Sequence, residues 1–366
     1  MSARDRFTQG WERGFSVGAD GLLSAMAGSY RGLLGARDWL YARGVLHSRA
    51  LDCPVVSIGN LTVGGTGKTP AVELAVRTLI DLGHRPAVLS RGYARRGGGV
   101  QIVADAASIR LDAEEAGDEP FLLARRLPGV PVVVGSNRYE AGRLARARFG
   151  VTAVVLDDGF QHRTLRKDLE ILMARAADPW GNGRLLPGGP LREPVEGLAR
   201  AGLVVATGAR GLIEAAQVTA TVARVAPAVP VLTAVHLPTE CFEAGGMRVV
   251  PLASLREARL VGFAGIGSPA RFRRTLQEAK AGTLDFREFA DHHWYTRDDL
   301  ARLERRAAEL DAHGFVTTEK DWVRLRPLPP LKRPVYVLTV RLTLTSGDAH
   351  WRAAFERLAA PAGSPR

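Results

Sequence analysis

Residues 54–70 read PVVSIGNLTVGGTGKTP, and the order of residue types in this stretch decides the fold. Val55, Val56 and Ile58 form a short apolar run that stops at Gly59-Asn60. Gly64, Gly65 and Gly67 follow, and Lys68-Thr69 then open a segment whose apolar residues Val72, Ala75, Val76 and Leu79 recur at helical spacing. That is a strand, a glycine-rich loop and a helix. Glycines let backbone N–H groups close around an anion, and the helix N-terminus adds partial positive charge. Lys68 can reach the β- and γ-phosphates of a nucleotide and the Thr69 hydroxyl can reach Mg²⁺. The strict pattern G-x-x-x-x-G-K-[ST] wants glycine where Thr62 stands, but the GGTGKT core is intact. Thr62, Val63, Gly64, Gly65, Thr66, Gly67, Lys68 and Thr69 are the expected cradle for the phosphates of a nucleotide.

Downstream, apolar runs alternate with helix-patterned segments. Residues 86–90 read as the next strand and bring Arg91-Gly92-Tyr93 to its carboxyl end, the edge at which open α/β sheets bind ligands. Asp118, in GDEP ahead of FLLARRL, reads on spacing alone as a helix cap with Pro120 in the first turn. Residues 130–134 form a strand ending in Gly135-Ser136-Asn137-Arg138. Another, at 151–156, ends in Asp157-Asp158 with Gln161-His162 directly after. An acidic residue at the end of an apolar strand, downstream of a phosphate loop, is what a Mg²⁺ site in such an NTPase requires. Strands at 169–173 and 203–206 flank a Gly/Pro-rich stretch, 178–194, of a length that is usually functional or disordered inside a compact domain. The alternation predicts an α/β fold with an NTPase-like, mostly parallel sheet covered on both faces over residues 51–226.

Residues 227–252 change texture. Two β-prone runs flank Gly245-Gly246 and read as a hairpin linker to a second, smaller α/β domain at 253–346. There a strand at 260–264 runs into GIGSP, one at 286–289 into Asp291-His292-His293, and one at 315–317 into TEKD. His292-His293 have no further His or Cys at ligand spacing, which argues against zinc, and a histidine there also reads as a helix cap. Residues 347–366 read as a helix and tail, disordered after Pro361. In residues 1–50, Leu22, Met26, Tyr30 and Leu33 recur at helical spacing, followed by Trp39, Ala42 and Leu46, with arginines between them. This reads as two short amphipathic helices that either lie in a membrane interface or pack on the core.

Across 366 residues the formal charge is +12, carried almost wholly by arginine, which points to an anionic partner without choosing among nucleic acid, phospholipid and phosphorylated substrate. No recognition-helix, zinc-finger or RNA-sheet motif accompanies the charge, so nucleic acid is not an expected partner. Cys53 and Cys241 are the only cysteines, which excludes a disulfide framework and fits a reducing compartment. No secretory signal is legible, and no apolar run is long enough to span a bilayer.

Taken in order, GNLTVGGTGKTP, SRGY, GDEP, GSNR, LDDGFQH, LPGGPLRE, FAGIGSP, FADHH and TTEKD resemble one family over nearly the whole chain, the tetraacyldisaccharide 4′-kinases of lipid A biosynthesis. Thr62 is then the family's own form of the loop. The resemblance implies transfer of the ATP γ-phosphate to the 4′-hydroxyl of a tetraacylated glucosamine disaccharide 1-phosphate. It places the reaction at the cytoplasmic face of a Gram-negative inner membrane, with the N-terminal segment on the anionic membrane surface and the lipid as substrate. It implies two α/β/α domains joined by a β-ribbon. By the same resemblance Asp118 is the base and His292 its partner, and Lys68 serves the transferred phosphate. Asp157, Asp158 and Glu193, with Thr69, belong to the Mg²⁺ or ATP site, and Arg91, Tyr93, Asn137, Arg138, Gln161, His162 and Arg192 to the substrate side. A different class also fits the phosphate loop, a membrane-associated NTPase switch. A guanine-specific switch, however, wants [NT]-K-x-D, and here Lys320 and Asp321 are adjacent.

Overall fold

The computed structural model describes Trp11 and residues 17–93 and 95–358. Residues up to Val235 together with those from Leu342 form one compact unit, and His236–Arg341 form a second. The first unit is built on β1 (Val55–Gly59), β2 (Pro86–Ser90), β3 (Gln101–Ala104), β4 (Val132–Val134), β5 (Ala153–Asp157), β6 (Leu169–Arg175), β7 (Leu203–Thr207) and the start of β8 (Val231–Glu243). Their order is β3-β4-β2-β5-β1-β6-β7-β8, and the pairs are parallel except β3 with β4. Every residue of β1, β2, β5 and β7 is buried. Strands covered on both faces have no polar side to alternate with, hence the continuous runs of Val, Ile and Leu.

Helices cover this sheet: α1 (Val17–Ala42), α2 (Lys68–Asp81), α3 (Ala113–Ala116), α4 (Asp118–Arg126), α5 (Arg138–Phe149) and α6 (Ala216–Val225). α2 follows the loop after β1 and buries Ala71, Val72, Ala75, Val76 and Leu79. The two short N-terminal helices expected from the pattern are one helix of 26 residues, because no proline interrupts the stretch from Val17 to Ala42. Its inward residues Leu23 and Leu34 are buried, with Ala27 and Tyr30 packed on the same core as Leu61, Phe160 and Leu191.

The boundary expected at 226 lies at Val235, since β8 begins by pairing with β7, Val204 opposite Val231, and buries Leu232 and Ala234. The linker hairpin is therefore divided. Val231 to Val235 complete the first sheet, and the far end of β8 pairs antiparallel with β9 (Arg248–Val250), Cys241 opposite Val250. In the second unit, β10 (Leu260–Ala264) lies between β11 (Thr283–Glu288) and β12 (Gly314–Thr318), and β12 pairs with β13 (Val335–Ser346), all parallel. Around them are α7 (Ser254–Glu257), α8 (Pro269–Glu278), α9 (Arg297–Glu309) and α10 (Glu319–Leu325). The chain rejoins the first unit at Leu342, within β13, rather than after residue 346. α11 (Asp348–Glu356) then packs on α2, with Trp351 Nε1 donating to Thr78 Oγ1 at 3.0 Å. The tail expected after Pro361 lies outside the described residues.

One contact sets the level of the site. Gly59, the last residue of β1, backs onto Phe160, and a Cβ at position 59 would lie 2.5 Å from Phe160 Cβ and 2.8 Å from its backbone nitrogen. Only glycine lets the β1 end and the turn after β5 approach so closely. Gly59→Ala is expected to destabilise the protein by about 1–3 kcal/mol, the usual cost of overpacking. Unfolding curves in urea check this; a Gly59→Ala midpoint equal to wild type would show that the two segments separate freely.

Candidate active site

The loop from Asn60 to Gly67 joins β1 to α2. Gly64 and Gly67 have φ of 107° and 88°, and Gly67 precedes α2 with no side chain capping the helix. The first backbone N–H groups of α2 are thus left to a ligand, as an anion site requires. Lys68 Nζ donates to Asn60 Oδ1 at 3.3 Å and lies 3.6 Å from Asp158 Oδ1. Asn60 in turn donates to the Thr62 carbonyl at 2.6 Å, and Thr207 Oγ1 donates to the Thr66 carbonyl at 3.1 Å. The loop is held in shape from the sheet side.

Asp157 ends β5, and Asp158 follows with φ 53°, a left-handed turn that aims the two carboxylates differently. Asp157 is 1% exposed; its Oδ2 accepts from Ser90 Oγ at 3.1 Å and its Oδ1 has no hydrogen-bond partner. Burial, with the charges of Glu119 and Asp158, pushes its carboxyl up to about 7, against the pull of Lys68 and the Ser90 bond. Asp158 accepts two bonds from Arg192 Nη1, at 2.9 and 2.8 Å. Burial raises its pKa, but Lys68, Arg192 and Arg138 outweigh that and hold it below the usual carboxylate range. Two adjacent acids therefore differ in ionisation because one faces cations and the other a dry pocket beside another acid.

The surrounding cations are themselves strained. Arg138 is 5% exposed and donates to the Ser136 carbonyl at 3.0 Å; burial and the neighbouring Arg91 lower it to about 10. Burial, with Arg138, Lys167 and Arg91, lowers His162 to about 4, so at neutral pH it is an uncharged imidazole, 2.9 Å from Thr164 Oγ1. Gln161 Nε2 donates to the Asn60 carbonyl at 2.9 Å. Arg91 and Tyr93 line a cleft of about 380 Å³ with Arg95 and Ser136. The Asn137 side chain caps α5, accepting from the Glu140 N–H at 3.2 Å.

Asp118 is buried, but it does not cap α4. Gly117, at φ 91°, occupies the cap position, and Asp118 is the first helical residue, its Oδ1 accepting from the Glu119 N–H at 2.9 Å. Glu193 is held by two arginines. Its buried carboxylate accepts from Arg37 at 2.8 Å and from Arg200, and among the described residues no three His, Cys, Asp or Glu side chains converge as a metal cluster. In the second unit His292 has φ 58°, with its N–H donating to the Gly265 carbonyl at 3.1 Å; its Nε2 lies 3.9 Å from Asp291. The helix after it, α9, is capped by Thr296 in a box with Asp299, so the cap reading of the histidine does not hold. His293 is tied to Asp299 at 2.9 Å and stacks on Phe289.

A family model described as tetraacyldisaccharide-1-P 4′-kinase matches residues 19–359. The chain belongs to the tetraacyldisaccharide-1-P 4′-kinase family. The tetraacyldisaccharide 4′-kinase of Syntrophus aciditrophicus is 43% identical over 88% of each chain, and that of Anaeromyxobacter dehalogenans strain 2CP-C is 43% identical over 84% of each. The crystal structure of the "apo" form of LpxK from Aquifex aeolicus, in complex with ATP, matches with a TM-score of 0.73 at 30% identity, over 93% of this chain and 99% of that one. Sequence reasoning about the 4′-kinase motifs missed Asn60, Ser90, Glu119 and Arg37. Glu119 stands in GDEP and Ser90 in SRGY, but there the motif reading points to their neighbours Asp118 and Arg91. Arg37 carries no local signal, since its partner Glu193 lies 156 residues away.

The raised Asp157 carboxyl has a consequence for stability. A folded-state value of about 7 lies above the unfolded 3.8, so the native state holds the extra proton and stability falls as pH rises from about 4 to about 7. Asp157→Asn removes that loss, and its melting temperature relative to wild type is expected to be a few degrees higher at pH 8 than at pH 5 in Mg²⁺-free buffer. Parallel pH dependences for the two proteins would show that Asp157 is ionised throughout.

Proposed function

We infer that this chain transfers the γ-phosphate of ATP to the 4′-hydroxyl of a tetraacylated glucosamine disaccharide 1-phosphate. The observation that carries the reading is the lysine of the phosphate loop, poised between Asn60 and Asp158 at the open N-terminus of α2, in a chain of the 4′-kinase family. Family membership favours this kinase over the NTPase switch, which the loop alone also fitted.

Phosphoryl transfer asks for little covalent help and much positioning. The loop's N–H groups bind the phosphates, and Lys68 leaves Asp158 to neutralise charge on the transferring group. Asp158 stays paired with Arg192 as it does so. The unpartnered, buried Asp157 Oδ1 and the Thr69 hydroxyl are oxygens that suit a hard cation. Asp157 and Asp158 with Thr69 would hold Mg²⁺, which when bound neutralises phosphate oxygens. Glu193, already neutralised by two guanidinium groups, supports the site through its partners.

Asp118 accepts the proton of the 4′-hydroxyl as bonding to phosphorus develops, and His292 is the candidate catalytic residue of the second unit. Arg91, Arg138 and Arg192 supply positive charge for the anionic lipid headgroup, and neutral His162, with Tyr93, Asn137 and Gln161, offers hydrogen bonds to its sugars. α1 rests on the membrane. Its outward residues Leu22, Met26, Leu33 and Trp39 are 65%, 49%, 70% and 55% exposed, an apolar stripe on a basic chain. Among the described residues no helix is long and apolar enough to cross a bilayer. In this reading the contact is interfacial, on the cytoplasmic face of the inner membrane.

Asp118→Asn is expected to lose roughly 10²–10⁴ in kcat, the usual worth of general acid–base help, with ATP affinity barely changed. Turnover of the disaccharide substrate by purified enzyme checks this, and an Asn variant with most of its kcat would make the carboxylate structural. Replacing Leu22 and Leu33 together by serine should weaken sedimentation with anionic phospholipid vesicles while leaving the melting temperature nearly unchanged. Equal vesicle binding by variant and wild type would reduce the stripe to ordinary surface.

A further inference from the structure

The outward face of α1 is apolar, but its inward face is polar where it crosses residues 190–193. Tyr30 Oη donates to the Arg192 carbonyl at 2.9 Å, and Arg37 Nη2 donates to Glu193 Oε1 at 2.8 Å. Those residues lie along the phosphate loop. The Val63 N–H donates to the Pro190 carbonyl at 2.8 Å, the Arg192 N–H donates to the Leu61 carbonyl at 2.6 Å, and Thr62 and Leu191 face one another as an antiparallel bridge. Arg192 is therefore gripped at three points: its carbonyl by α1, its N–H by the loop, and its guanidinium by Asp158, which is the carboxylate beside Lys68. A second tie runs the same way, from Asp38 of α1 to Arg163 at 2.8 Å, next to the turn that carries Asp158 and Gln161.

We propose that Tyr30 and Arg37 are positioning residues for the nucleotide: through residues 190–193 the inner face of α1 sets the shape of the phosphate loop and the place of Arg192 on Asp158. The inference rests on the reading that residues 62–69 bind the phosphates of ATP. Glu193 is 2% exposed and fully served by Arg37 and Arg200, so it has no solvent to fall back on when Arg37 is lost. Removal of Arg37 leaves a buried charge half-compensated, and the 190–193 segment must shift to relieve it. Because that segment and the loop share backbone hydrogen bonds, the shift is passed to Thr62 and Val63. The Tyr30 bond is neutral and its loss is milder.

The test is equilibrium binding of ATP to detergent-solubilised full-length protein without lipid, with steady-state KM for ATP and for the lipid acceptor. Tyr30→Phe is expected to raise the ATP Kd about threefold to fivefold, the worth of one neutral hydrogen bond. Arg37→Gln should raise it about tenfold or more, as for a charged pair, with Arg37→Lys between wild type and Arg37→Gln. KM for ATP should follow, while vesicle binding changes less than twofold. A helix that only anchors the protein would show the opposite split, and ATP Kd values within twofold of wild type in folded Tyr30→Phe and Arg37→Lys would overturn the proposal. Lys68→Ala separates the two readings: unchanged ATP binding by that variant would place the nucleotide elsewhere, whereas loss of binding there with normal binding by the α1 variants leaves the phosphate loop intact and removes only the link to α1.

Discussion

The Lys68 ammonium, 11% exposed, sits between one amide oxygen and one carboxylate, and most of the first unit serves to keep it there. A buried charge is tolerated only when paired and hydrogen-bonded. Asp158 supplies the opposite charge but is itself claimed by Arg192, so the lysine is balanced without being locked. The arrangement needs the β1 end and the β5 end side by side, which the parallel pairing of Ile58 with Asp157 provides and the bare Cα of Gly59 permits. Bulk at position 59 would push Phe160 away, and with it the turn that carries Asp158 and Gln161.

The same constraint explains the stretch from Asp178 to Glu193, which has no regular helix or strand. A segment of this kind is stable only if its backbone groups find partners. They do, partly within the segment, as where the Leu186 N–H donates to the Leu191 carbonyl at 2.9 Å, and partly on the phosphate loop and α1, and Trp180 anchors its beginning by donating to Thr221 Oγ1 at 3.0 Å. Proline and glycine suit this path because it forms no continuous ladder: the Arg192 N–H donates to the loop, and the Pro190 carbonyl accepts from the loop's Val63 N–H.

The second unit has its own buried anion. Asp321, fully buried, accepts from the Gly265 N–H at 2.8 Å, from Tyr295 Oη at 2.8 Å and from Thr318 Oγ1 at 2.6 Å. This gives TTEKD a structural meaning: the aspartate after Lys320 ties the end of β12 to the loop after β10 rather than reading a base. Burial raises its carboxyl, and Arg324, Thr318, Gly265 and Tyr295 oppose the rise. The loop so fixed is the one whose Gly265 carbonyl accepts from the His292 N–H, so the second unit positions that histidine through its backbone.

What was legible in the sequence follows from the range of the interactions. Strand, loop and helix around residues 54–70 are local, as are the strand ends that carry Asp157 and Arg91, and pattern alone found them. The cap reading of Asp118 went astray because Gly117 takes the positive φ that ends α3 and opens α4, a backbone event that the residue types of GDEP leave open. Tyr30 and Arg37 fell outside the site for a different reason. Tyr30 lies within the same apolar periodicity as Leu22, Met26 and Leu33, and only the fold separates its inward hydroxyl from their outward methyls. Helical spacing can count apolar positions but cannot say which of two adjacent stripes faces the core. The helix that resembles a surface anchor in sequence thus exposes one apolar stripe and turns inward a second whose polar groups end on the segment beside the phosphate loop.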